Sequence, residues 1–303
     1  MQPRQDFDPG LTQQVAGELR RAINPDGSFN VHKSGLRWRD LNLYLYLIET
    51  SWSKFFLVIF TGFLLLNAAF AALYLMSGTE LVSTDTGLSH FGTAFFFSVH
   101  TLTTVGYGDI YPKGLWPNFL SAVEAMIGLL SFALATGLLF GRFSKPSARI
   151  KFTDNMVVAP YKNITSLQFR IANKRKNVLM ELEARILFMT VRRGDGPPTR
   201  DYADLELERR NVYFLPLSWT IVHPIDSKSP LFGLTAEDLA KQEAEFLILI
   251  RAFDNTFSQT VHARFSYRHD ELIWNAKFES AFFVNNQGDL VLELDRLSDL
   301  KTL

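Results

Sequence analysis

Thr104-Val105-Gly106-Tyr107-Gly108, followed at once by Asp109, is the stretch of this chain with a chemistry of its own. Its side chains offer little, so what it presents is a row of backbone carbonyls. Gly106 and Gly108 reach φ > 0 without the penalty that other residues meet, which lets successive carbonyls turn to the same side. Such a row, with the Thr104 hydroxyl at one end, can replace the water shell of a dehydrated monovalent cation. The strip occurs once and supplies one carbonyl at each level, so a closed cage requires a ring of identical chains. His100, four residues before Thr104, and Asp109 bracket it. Two readings of His100 stand side by side: a pH-sensitive hydrogen bond to Asp109 that supports the strip, or a ring filling space among Phe95, Phe96 and Phe97.

The elements around the strip are those of a membrane pore. Phe55 to Met76 is apolar apart from Thr61 and Asn67, and at ~1.5 Å per residue it reaches about 33 Å, enough to cross a bilayer. A second span runs from about Pro117 to Phe143, with Glu124 near its outer end. Between them, about 91–103 reads as a re-entrant pore helix whose negative dipole end points at the strip and favours a cation. Lys113 is the one Lys or Arg between Ser77 and Asn118, whereas Arg37, Arg39, Lys54, Arg142, Lys145, Arg149 and Lys151 flank the spans. The positive-inside rule therefore puts both termini in the cytoplasm. Arg37, Arg39, Arg142, Lys145, Arg149 and Lys151 read either as a site for anionic lipid headgroups or as orientation signals alone. Phe132, Thr136 and Phe140 share a helical face, with Gly128 one turn earlier. That face either lines a cavity closed at Phe140, with Gly128 or Gly137 permitting a bend, or packs on the first span.

Upstream, Trp38 to Trp52 reads two ways. Trp38, Leu41, Leu45, Ile48 and Trp52 fit one face of an interfacial helix, while Leu41, Leu43, Leu45 and Leu47 alternate like a strand. Before it, Met1 to Arg37 is polar, with a turn signal at Pro25-Asp26-Gly27 and no apolar core of a signal peptide at its start. After about Ala148, apolar residues alternate with polar ones, as in Leu167, Phe169 and Ile171, or Met180, Leu182, Ala184, Ile186 and Phe188. Turn signals separate such runs, which points to an all-β sandwich. Thr235 to Glu245 reads as one short helix with Thr235 as its N-cap. The expected organisation is thus an N-terminal cytoplasmic segment over 1–37, an interfacial helix over 38–53, a pore domain over 54–147 and a cytoplasmic sandwich over 148–303.

Composition excludes other classes. The 31 basic and 31 acidic residues balance, so nothing calls for a nucleic acid partner. The absence of Cys rules out disulfides and thiolate metal sites. The histidines carry no HExxH spacing, and there is no GxSxG elbow or GxGxxG after a strand, so an enzyme is not expected. No Arg-repeat helix precedes the pore, which disfavours voltage sensing.

With these residues assembled, the chain resembles the inward-rectifier potassium channel family in its prokaryotic branch, from about Trp38 to Leu294. The resemblance is carried by Arg37-Trp38-Arg39-Asp40, Thr103 to Gly108, Arg142-Phe143-Ser144-Lys145-Pro146, Ser218 to Asp226, Ser229-Pro230-Leu231, Ala263 to Tyr267 and Glu271 to Trp274. The strip is the filter sequence of potassium channels themselves and is recognised, not deduced, as such. The resemblance implies a homotetramer with K⁺ as permeant ion and no cofactor, an interfacial slide helix at Asp40–Trp52, and an immunoglobulin-like cytoplasmic domain that extends the conduction path. It also implies sensitivity to anionic phospholipids or phosphoinositides, and a constriction near Phe257–Val261. Many members carry Glu where His100 stands. Strong rectifiers place an acidic residue at the position of Phe132, so weak rectification is expected here. The competing function is a non-conducting membrane scaffold with a partner-binding sandwich, which has no need of Gly106 and Gly108.

Overall fold

Helix geometry and bilayer thickness set the first unit. The computed structural model describes residues 10–11, 21–32, 34–35, 42–76, 81–83, 89–145, 148–194 and 196–303. These divide into a unit of 34–145 and a unit made of 1–33 with 146–303.

In the first unit, α1 (Leu43–Glu49) is capped by Asn42, whose side chain accepts from the Leu45 N–H at 3.2 Å. It ends at Thr50, which turns to ψ 162°, and the Ser51 hydroxyl then accepts from Lys54 N–H at 3.4 Å to start α2 (Trp52–Met76). This break corrects the single helical face read across Trp38–Trp52: Trp52 opens the membrane span. Residues 38–41 lie outside the described residues. The hairpin of β1 (Leu81–Ser83) and β2 (Ile110–Pro112) flanks α3 (His90–Leu102), which is capped by Ser89. Helix α4 (Leu115–Phe143) follows. Both α2, with 25 residues, and α4, with 29, are long and apolar enough to cross a membrane. Helix α3 is wedged against them: Phe70, Ala71 and Tyr74 of α2 bury Ala94 and Phe97 of α3 together with Ile110. The Tyr74 and Phe97 rings meet edge to face at 5.1 Å.

The second unit is a β-sandwich. Its strands are β3 (Ile150–Phe152), β4 (Met156–Tyr161), β5 (Ile164–Asn173), β6 (Leu179–Arg192), β7 (Thr199–Asp204), β8 (Asn211–Phe214), β9 (Ser218–Ile225), β10 (Glu245–Asp254), β11 (Gln259–Arg268) and β12 (Leu272–Trp274). Four short strands close the chain: β13 (Ala276–Phe278), β14 (Phe282–Val284), β15 (Leu290–Leu292) and β16 (Leu300–Thr302). One sheet runs β11-β10-β6-β7 with β8 also on β6, the other β12-β4-β5-β3 with β9 also on β5. Strand alternation places Leu167, Phe169 and Ile171 of β5 in one core with Leu182, Ala184, Ile186 and Phe188 of β6 and Phe246, Ile248 and Ile250 of β10. The helix α5 (Ala236–Lys241) carries a capping box between Thr235 and Asp238. Residues 21–31 also join this unit. Asn24 and Gly27 close the expected turn, Ile23 buries with Met189, Tyr202 and Leu247, and Arg21 pairs with Glu271 at 2.9 Å.

His223 of β9 is a buried lock in this sandwich. Its Nδ1–H donates to the Glu206 carbonyl at 2.6 Å, so Nε2 is left to accept from the Ser229 hydroxyl at 2.7 Å. Burial holds its pKa below the ordinary value. A base whose folded pKa is depressed binds a proton more readily when unfolded, so stability falls as pH drops below about 6.5. On acidification from about pH 7.5 to about pH 5.5, the thermal midpoint of the β-sandwich is expected to fall further in the wild type than in His223→Gln. Tryptophan emission checks this, and equal shifts in the two proteins count against it.

Candidate ion-conduction site

The strip follows directly from the end of α3. Thr103 closes that helix, and Thr104 N–H donates to Thr101 O at 3.0 Å. The next two N–H groups, of Val105 and Gly106, both return to the His100 carbonyl, at 3.0 and 3.3 Å. The orphan carbonyls at the helix end are thereby used by the strip's donors. Backbone φ is positive at alternate residues: 58° at Thr104, 54° at Gly106 and 83° at Gly108. Alternation of hand turns every second peptide plane over, so carbonyls that would point to opposite sides point to one. Among the described residues, no hydrogen bond reaches the carbonyls of Thr104, Val105, Gly106 or Tyr107. The N–H groups of Thr104, Val105 and Gly106 are thus tied to α3 while those carbonyls are left open.

Thr104 is the unexpected member. A β-branched residue in the left-handed region is a strained choice, costing about 1–2 kcal/mol. The glycines alone carried the expectation, and nothing in the residue type of Thr104 announces this.

Of the two readings of His100, the hydrogen bond to Asp109 is not formed within the chain among the described residues. Asp109 Oδ1 accepts from the Ile110 N–H at 3.1 Å, and the His100 ring stands edge to face on Tyr107 at 4.9 Å. The support is therefore aromatic: His100 holds the ring of a strip residue whose other faces are open, Tyr107 being 75 % exposed in the single chain.

On α4, Phe132 and Phe140 are exposed in the single chain, and the Thr136 hydroxyl donates back to the Phe132 carbonyl at 2.9 Å. Gly128, one turn before Phe132 on α4, lines the same cavity as Phe132. It is buried, and α4 is one helix from Leu115 to Phe143. A Cβ on Gly128 would lie 2.1 Å from the Leu102 carbonyl oxygen, so glycine is there to let α4 touch the end of α3.

Arg142 is held from within the chain. Its guanidinium donates to the carbonyls of Leu47, Ile48 (3.2 Å) and Thr50 (2.7 Å), closing the end of α1. It also lies 4.4 Å from the Trp52 ring centre and 4.7 Å from that of Phe55. Lys145 pairs with Glu49 at 3.0 Å, in the open. In the other unit, Lys151 donates to the Leu294 carbonyl at 2.7 Å, while Arg149 is exposed. Arg37 and Arg39 lie outside the described residues. Arg142→Lys keeps the charge but cannot hold several carbonyls with one planar group. It is expected to weaken the attachment of α1 by about 1.5–3 kcal/mol, read as faster proteolysis in the α1–α2 junction. Wild-type cleavage rates would show that charge alone is needed.

Three residues went unassigned by sequence reasoning: Ser98, Tyr74 and Glu124, which meet with Asn67 in the interior. A lone acid in an apolar span is the one signal that marks the place.

Residues 150–302 match the profile of the inward rectifier potassium channel C-terminal domain, and residues 62–145 that of an ion channel domain. Inward rectifier potassium channel Kirbac3.1 of Paramagnetospirillum magnetotacticum is 36% identical over 284 residues, covering 92% of this chain and 95% of its own. Inward rectifier potassium channel 18 of Homo sapiens is 29% identical over 204 residues, which are 64% of this chain and 47% of that one. ATP-sensitive inward rectifier potassium channel 12 of Mus musculus is 28% identical over 207 residues, with 64% and 48% covered. Two membrane spans, a carbonyl strip between them and a β-sandwich with its own family match leave one assignment, and the chain belongs to the inward rectifier potassium channel family.

Proposed function

We propose that this potassium channel works as a homotetramer in a bacterial plasma membrane, with both termini cytoplasmic and K⁺ coordinated by the strip Thr104–Gly108. One observation carries the reading: φ is positive at Thr104, Gly106 and Gly108, the Val105 and Gly106 N–H groups are tied back to His100, and among the described residues no hydrogen bond reaches the carbonyls of Thr104 to Tyr107. A single row cannot enclose an ion, and inward rectifier channels are membrane-embedded tetramers. The basic residues flanking the two spans favour the cytoplasmic side for both ends. Exposed Phe132 and Phe140 on one face of α4 suit a cavity wall, with Phe140 at the inner mouth as an apolar ring that excludes water. Lys145, exposed beside Glu49, and Arg149, exposed in its own unit, are the cations of the flanking set left open to anionic headgroups.

Rubidium flux into liposomes of graded anionic lipid content, with and without barium, tests this. Barium-sensitive uptake that changes with the anionic fraction is expected, and none in any lipid overturns the reading. Rectification follows from Phe132: an apolar ring holds a polycation poorly, so polyamine block should be shallow in voltage. Phe132→Asp is expected to steepen it, and steep block in the wild type that Phe132→Ala removes would reverse the argument.

A further inference from the structure

The buried polar side chains of the membrane-spanning unit form a single chain of contacts. Asn67 and Tyr74 come from α2, Ser98 from α3 and Glu124 from α4, and in the single chain all four are buried, Glu124 completely. Tyr74 OH donates to Glu124 Oε2 at 2.7 Å. Ser98 Oγ lies against two acceptors at once, Asn67 Oδ1 at 3.0 Å and Glu124 Oε1. Asn67 Nδ2 is already committed to the Phe63 carbonyl at 2.7 Å. Turning that amide over would set oxygen against oxygen there. Ser98 therefore gives its one hydrogen to Asn67, and its contact with Glu124 must be closed by a hydrogen from the other side. Only a carboxylic acid supplies it. Among the described residues, the Glu124 carboxyl meets hydroxyls alone, with no cation to hold it as an anion.

We propose that Glu124 is held as the neutral acid, its proton on Oε1, and that as a positioning residue it fixes α3, and through α3 the conduction strip. The path is short. Ser98 stands two residues before His100, whose carbonyl holds the Val105 and Gly106 N–H groups. Glu124 meets Ser98, and Gly128 meets Leu102, so one step of four on each helix joins α3 to α4 at successive turns. A shift of α3 along α4 carries the strip's donors with it and alters the level of its carbonyls. The inference rests on the reading of Thr104–Gly108 as the conduction strip, and its tests separate the two.

The full-length channel in liposomes is compared with Glu124→Gln by infrared spectroscopy at neutral pH. Gln has the donor and acceptor of the acid and neither proton nor charge. The wild type is expected to show a protonated-carboxyl stretch that Glu124→Gln lacks, and a carboxylate signal in its place overturns the proposal whether or not the protein conducts. In flux, Glu124→Gln is expected to keep the wild-type rubidium-to-sodium ratio, while Ser98→Ala lowers it about tenfold by cutting the same link with little loss of volume. Loss of selectivity in Glu124→Gln counts against the neutral acid, and full retention in Ser98→Ala removes the positioning role. Wild-type protein without barium-sensitive flux would fail the conduction reading and leave the infrared result standing on its own.

Discussion

Gly128→Ala is expected to abolish potassium-selective flux while α4 and the β-sandwich stay folded. Intrinsic propensity argues the other way, since alanine in place of a mid-helix glycine favours the helix by about 1 kcal/mol. The contact decides it. The added Cβ would lie 2.1 Å from the Leu102 oxygen, 2.9 Å from its carbonyl carbon and 3.0 Å from its Cα, all backbone atoms that no rotamer change can move. Relief comes only by parting α3 from α4 by about an ångström, and overpacking of this kind costs about 1–3 kcal/mol. Leu102 is the last residue of α3, two before Thr104, so the displacement arrives at the strip undiminished. Gly137→Ala is the control on the same helix, because a Cβ there meets nothing within 4 Å. It should leave flux and selectivity as they were. Circular dichroism separates misfolding from mis-seating, and a selective Gly128→Ala channel would show that the close approach is dispensable.

What could be read from the sequence depended on whether the cause was local. The spans follow from uninterrupted apolar runs, and the sandwich follows from period-two alternation such as Leu182, Ala184, Ile186 and Phe188, all buried on one face of β6. The cap at Thr235 is local as well, a hydroxyl and a carboxylate three residues apart. What the sequence left open shares one origin, a partner distant in sequence. Helical periodicity sets Gly128 in line with Phe132 and Thr136, yet its use is set by the Leu102 carbonyl of another helix. A basic run at a membrane edge reads as a lipid site, but Arg142 is captured by carbonyls exposed because α1 stops at Thr50. The left-handed Thr104 contradicts its own propensity, and the hydrogen bonds returning to the end of α3 hold it there. Glu124 was visible as an isolated acid, whereas its role needs Asn67, Ser98 and Tyr74 from two other helices.

Gly106→Ala is expected to remove discrimination between potassium and sodium by a different route. Space is not the obstacle, since a Cβ at Gly106 meets nothing within 4 Å in the single chain. Conformation is: φ is +54° there, and an L-residue in that region costs about 1–2 kcal/mol. A ring of four carries the cost four times, about 4–8 kcal/mol for one assembled filter. The escape is to swing φ negative by turning over the peptide between Val105 and Gly106. That breaks the bond from the Gly106 N–H to His100, at 3.3 Å the longest that ties the strip to α3. The same rotation carries the Val105 carbonyl out of the row, and one complete layer of ligands is lost. Sodium then meets a water-sized gap in place of a fitted ring, and the rubidium-to-sodium flux ratio should fall toward unity while total flux persists. Thr104 supplies the counter-case, because it already bears φ +58° with a branched side chain. Were Gly106→Ala to keep the wild-type ratio, the bonds from α3 would be imposing the left-handed backbone at both positions, and glycine would not be what makes this strip selective.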